Sequence, residues 1–199
     1  MSRPSVLSAR SLGIAAVLLG VLASGALIWQ ASYSAFSATT SNPTSNWSAG
    51  TVALSDDDAN TALFTATGLK PGSTGTKCIA VTSTGSLASA VKLYGSNAAT
   101  TNALSSSINL TITQGTGGGF GSCTGFTPLG SGSSVYTGTV AGFASSATNY
   151  ATGLGSWAPT GTGSETRTFQ LVYTVDPNAP NSAQGGTAAI GFTWEAQNS

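Results

Sequence analysis

From residue 50 onward the chain is written in short runs of β-branched and aromatic residues, each ended by Gly, Pro, Asn, Asp or Ser. Such runs suit strands and leave no room for a 3.6-residue apolar stripe, so helical architectures are excluded first. The runs are GTVAL (50–54), ALFTATG (62–68), KCIAVTST (77–84), SAVKLYG (89–95), SINLTIT (107–113), SVYTGTV (134–140), TFQLVYTV (168–175) and TAAIGFTWEA (187–196). In the last of them Ile190, Phe192 and Trp194 alternate with Gly191, Thr193 and Glu195, which places one face in a core and the other in water. About eight strands separated by turn signals predict an all-β, jelly-roll-like antiparallel β-sandwich. LKPG (69–72) reads as a turn, and the glycine-rich stretches 115–125 and 161–165 read as loops. Neither stretch is followed by the Lys-Ser/Thr pair and helix start that a phosphate loop requires.

The polarity of this sandwich comes from hydroxyls rather than charges. Only 6% of the 199 residues are charged, against 30 Ser and 29 Thr. A surface of neutral hydroxyls repels its own kind weakly, so lateral association is easy. From residue 35 on, Lys70, Lys77, Lys92 and Arg167 face six acids, a balance of −2. Nothing in that balance attracts nucleic acid or an anionic membrane. The chain has no histidine, which excludes a Ser-His-Asp triad, a Cys-His site and an H-E-x-x-H zinc site.

Ahead of the strands, Arg3 and Arg10 precede an uncharged apolar run over 12–29. A basic start, an apolar middle and a small-residue exit describe a signal-peptide helix over 1–34. Ser32 and Ser34 suit the two small positions before a cut that leaves Ala35 as the new N-terminus. The competing reading is a permanent anchor, since 18 residues just suffice to span a bilayer. Gly13, Gly20, Ser24 and Gly25 weaken that reading, and no basic stop-transfer cluster follows. The organisation expected is therefore a leader (1–34), an extended segment (35–47) and a sandwich domain (48–199). Membrane contact is then confined to the leader before cleavage.

The candidate chemistry is sparse. Cys78 and Cys123, 45 residues apart, are the only cysteines and in an exported protein are expected to pair. A redox or metal role is the alternative, disfavoured by the wide spacing. Asp56, Asp58 and Asn60 copy the first half of a calcium loop, but Thr61 and Thr67 stand where it needs Gly and Glu. An EF-hand is excluded; a weak calcium site completed by other loops stays open beside a plain solvated turn. No other cofactor is expected. Lys70 and Lys77 lack the S-x-x-K spacing of a Ser-Lys hydrolase; Lys92 has it with Ser89, yet all three lysines are read as edge residues that discourage strand pairing. Trp47, Tyr94, Trp157, Tyr173 and Trp194 are candidates for a sugar-binding face, although strand patterns place most of them in the core. Trp157, in GSWAPTG, is the one expected to be exposed.

Several short motifs in order resemble the TasA/camelysin family of exported proteins, processed by the SipW class of signal peptidase. They are SAFS (34–37), SAGTVALS (48–55), GLKPGS (68–73), STGSLA (83–88), NSAQGG (181–186) and GFTWEA (191–196). The stretch from about 95 to 165 carries no such motif. The resemblance implies a secreted jelly-roll protein of the cell surface or biofilm matrix of a Gram-positive type of bacterium. Its partners would be copies of itself, a signal peptidase during export, and other matrix components. It also implies fibres built when the segment after the cut completes the sheet of the next subunit. Carried over, the donor is 35–42, with Ala35 at its tip and Phe36, Ala38 and Thr40 on one side of an extended chain. A frayed terminus is the alternative. The poverty of charge and the cysteine pair depart from the family pattern. Its metalloprotease activity is not carried over, because no histidine or ligand set is present, and no enzyme is expected. The other functional class left open is a monomeric extracellular module binding carbohydrate or protein.

Overall fold

The computed structural model describes residues 49–199, which form one compact unit. The leader, the cut at Ser34 and Ala35, the donor residues Ala35, Phe36, Ala38 and Thr40, and Trp47 lie outside the described residues. Among those described, no helix is long and apolar enough to cross a membrane.

The unit is an all-β sandwich of two antiparallel sheets. Nine strands occur in order: β1 Leu54–Asp56, β2 Thr74–Ser83, β3 Ser89–Thr100, β4 Ile108–Thr116, β5 Thr127–Pro128, β6 Ser134–Thr139, β7 Leu154–Trp157, β8 Glu165–Val175 and β9 Ala188–Asn198. One sheet runs β1-β2-β8-β4, with β5 and β6 sharing the outer edge of β4; the other runs β7-β3-β9. The chain thus passes repeatedly from one sheet to the other, in jelly-roll-like fashion. Period-two patterning dictates which face is inside. In β4, Ile108, Leu110, Ile112 and Gln114 are buried, whereas Asn109 and Thr111 are exposed. Phe169, Leu171 and Val175 of β8 meet Ile79 and Val81 of β2 and Val91 and Leu93 of β3 in a single core.

Several elements differ from the pattern read in the sequence. Residues 62–68 form no strand. Leu63, Phe64 and Leu69 pack on the core, Phe64 edge-on to Tyr173 at 5.2 Å, but no ladder partner faces them. Burial satisfied these side chains without a sheet, which is how β-like composition misleads. Residues 50–53 are not strand either, although the Ala53 and Thr51 carbonyls accept from Thr84 and Ser86. Val140 opens helix α1 (Val140–Ser146) rather than ending β6, because the Thr139 hydroxyl caps the Gly142 amide at 3.0 Å. The LKPG turn forms as expected: Ser73 N–H donates to Lys70 C=O at 2.9 Å, and Gly72 takes φ 80°.

Candidate functional site

Two features concentrate chemistry in this unit: the acidic turn beside the disulfide, and the sheet edges. Cys78 and Cys123 are joined, with Cα atoms 5.1 Å apart, and no cysteine is free. The bond ties the centre of β2 to the glycine loop 117–126, where Gly117, Gly118, Gly121 and Gly125 all take φ near +75°. At Gly117 a Cβ would strike the Gly125 carbonyl, so this fold of the loop needs glycine.

The acidic run places its oxygens on backbone amides. Asp58 Oδ1 accepts from Asn60 N–H at 2.7 Å, Asp56 Oδ1 accepts from Asp58 N–H at 3.4 Å, and Ala59 and Asn60 take left-handed φ of 51° and 62°. Asp56, Asp58 and Asn60 thus build a tight turn of the solvated kind. Among the described residues no group of three or more His, Cys, Asp or Glu is placed to hold a metal. Partial burial, then a hydrogen bond with Asp58 and the nearby negative charges, pushes the Asp56 carboxyl above its ordinary value. The residue between them, Asp57, was not singled out by any motif and does the most. Its Oδ1 accepts from Ala80 N–H at 2.9 Å and its Oδ2 from Phe120 N–H at 2.7 Å. One carboxylate therefore joins β2 to the glycine loop, beside the disulfide that does the same covalently.

The direction of main-chain groups along β2 follows from a few bonds. Val175 N–H donates to Ser73 C=O, so odd-numbered residues of β2 face β8. Even-numbered residues face outward. Thr82 is covered by β1, Ala80 by Asp57, and the Cys78 carbonyl by Gly121 N–H at 2.9 Å. Thr74 and Thr76, both exposed, have no strand beyond them among the described residues. In the second sheet, β9 is an outer strand along its whole length among the described residues.

The aromatic candidates among the described residues do not share a surface. Trp157 is buried in β7 at 5% exposure, contrary to the expectation that it is exposed, because Arg167 covers it at 5.9 Å and Phe169 packs against it. Trp194 contacts Phe169 from the opposite sheet at 5.2 Å, and Tyr173 meets Phe64. Tyr94 lies on the outer face, donating its hydroxyl to Glu195 at 2.8 Å. That bond raises the Tyr94 phenol, and bonds from Gln197 and Tyr94 lower the Glu195 carboxyl. A cleft of about 270 Å³ lies between the end of β3 and α1, lined by Ala98, Ala99, Val140 and Ala144 among others, with no ionisable group. It offers nothing for catalysis.

These features define a class: a disulfide-tied, charge-poor antiparallel β-sandwich with sheet edges left open among the described residues. No protein-family model matches the chain, and no curated protein matches it.

Proposed function

We propose that this protein is an exported, non-enzymatic structural subunit of the cell surface or biofilm matrix. It assembles into fibres when the segment 35–42 of one copy adds a strand to the next. The observation that carries this reading is the open stretch of β2 at Thr74 and Thr76, where main-chain groups point outward with no neighbouring strand among the described residues. A donor entering there would continue the sheet below the point where Asp57 and the glycine loop cover it. Phe36, Ala38 and Thr40 would lie on one face of that strand. Such a contact is head-to-tail, so it propagates. The disulfide supports an oxidising compartment, in line with an exported chain. A carbohydrate-binding module is the weaker reading, since Trp157 and Trp194 face the core.

The test is negative-stain microscopy of protein beginning at Ala35, beside a variant lacking 35–42. Filaments from the first alone are expected. Filaments from both discard strand donation by 35–42; filaments from neither favour the binding module.

A further inference from the structure

We propose that two copies of this chain pair edge to edge through β9, antiparallel about a two-fold axis, joining their smaller sheets into one continuous six-stranded sheet. This contact is separate from the donor segment and does not depend on it.

The outward groups of β9 can be assigned from bonds on its inner side. Ser89 N–H and Gly95 N–H on β3 donate away from β9, to Pro159 and Ala147 carbonyls. Even-numbered residues of β3 therefore face β9, and their register partners on β9 are the odd-numbered Gly191, Thr193, Glu195 and Gln197. The bonds Thr101 N–H to Thr187 C=O and Ser199 N–H to Ala88 C=O extend the same parity past both ends. The main chain of Ala188, Ile190, Phe192, Trp194, Ala196 and Asn198 thus points to an edge with no partner among the described residues. The strand has 11 residues, roughly 36 Å of ladder.

Natural sheets protect such an edge with Lys, Pro, a bulge or a covering element. β9 contains no Lys and no Pro, and the bulge of this pair lies in β3, between Ser96 and Ala99. Its one charge, Glu195, is already held by Tyr94 and Gln197 on the outer face. The core-facing Ile190, Phe192 and Trp194 stay only half-buried, and Trp194 Nε1 is buried without a partner.

Charge and direction select the occupant. The chain enters the unit next to the end of β9: Gly50 abuts Leu87, and Ala88 C=O accepts from Ser199 N–H. An antiparallel partner matches the rest of the fold, and the sequence before residue 49 contains Pro43, which has no N–H to give a ladder. A second β9 related by a two-fold axis is antiparallel by symmetry. With the axis at Thr193, Phe192 faces the partner copy's Trp194, and Glu195 faces Gly191 instead of another Glu195. Outward groups then meet outward groups along the strand, for about twelve hydrogen bonds. Shifting the axis to Glu195 would set like charges opposite each other, which disfavours that register.

The test uses the full chain carrying one added thiol. In the proposed register the two Thr193 residues form a non-hydrogen-bonded pair with Cα atoms about 4.5 Å apart, within disulfide reach. The two Glu195 residues are about 14 Å apart, beyond it. Under mild oxidation T193C is expected to double in mass on a non-reducing gel, and E195C to remain single. T193K, which opposes two charges at the axis, should lose the dimer seen by light scattering for the unaltered chain while keeping its unfolding midpoint. Cross-linking of T193C and E195C to equal extents would reveal random collision and overturn the proposal. So would a single-mass T193C, or one that cross-links only after 35–42 is deleted. Dimer formation by T193C with and without 35–42 upholds it whatever becomes of the filaments.

Discussion

Removing the disulfide is the perturbation whose size the structure fixes best. The pair closes a loop of 45 residues, and chain entropy assigns such a cross-link about 4 kcal/mol at 25 °C. That figure assumes the folded state is the same with and without the bond. Here the assumption has a basis, because the glycine loop is held to β2 independently. Asp57 accepts from Ala80 and Phe120, and Gly121 donates to Cys78 C=O, all within 2.9 Å. Replacing both cysteines by Ala should therefore act on the unfolded chain and leave the sandwich intact. For a unit of this size, about 4 kcal/mol lowers Tm by roughly 8–16 °C. In urea the midpoint should fall while the slope m rises, since the unfolded chain is freed to expand. Asp57→Asn should cost more in the double-Ala background than in the parent, because the carboxylate is then the main clasp on the loop. A loss below about 1 kcal/mol, or an Asp57→Asn effect of equal size in both backgrounds, would refute the argument that two clasps share one loop.

Phe143 of α1 is fully buried, with ring centroids 5.0 Å from Tyr136 and 5.7 Å from Phe192, so Phe143→Ala should cost about 3–5 kcal/mol in denaturant unfolding. A cost below about 1 kcal/mol would mean that α1 is not pinned through this ring. On the acid side, bonds from Thr160 hold the Glu165 carboxyl below its ordinary value, and Glu195 is lowered by Gln197 and Tyr94. Their stabilisation is present above the unfolded carboxylate range and is lost as pH falls through the lower folded values. Asp56, raised in the fold, works with the opposite sign and gains as pH falls. Glu165→Gln and Glu195→Gln should each flatten the acid limb of a Tm-against-pH curve, and Asp56→Asn should steepen it. Superimposable curves would contradict these assignments.

The parts of the fold legible in the sequence are those in which one residue type repeats every second position. β4 and β8 carry Ile, Leu, Phe and Val at that interval, and both strands form where the pattern places them. Residues 62–68 show the limit of such a reading. Leu63 and Phe64 are partly buried by packing alone, and no local signal distinguishes that from burial in a sheet. β5 and β7 carry no such signal, for the converse reason. They are two and four residues long, and main-chain pairing with β4 and β3 defines them rather than composition. The glycines and proline around Trp157 read as an exposed loop, yet Arg167 arrives from β8, 10 residues later in the chain, to cover it. Asp57 carries no motif signal because a calcium pattern counts alternate positions, and the useful carboxylate sits between them. Its partners, Ala80 and Phe120, are 23 and 63 residues away.

The scarcity of charge becomes informative only once the edges are known. With 6% charged residues spread over 199 positions, few are left to guard strand ends, and the fold uses other means. The outer edge of β4 is shared by two short strands, and the upper part of β2 is shielded by β1, Asp57 and a disulfide-held loop. Each of these devices removes main-chain groups from reach of another chain. A chain that closes some edges with a carboxylate, a cross-link and a dedicated glycine loop is not indifferent to strand addition. The two stretches left uncovered among the described residues, Thr74–Thr76 on one sheet and all of β9 on the other, lie on separate edges. The two proposed contacts, one propagating and one two-fold, would therefore use different edges and not compete. Assembly through both would yield paired filaments, whereas loss of the β9 contact alone would leave single ones.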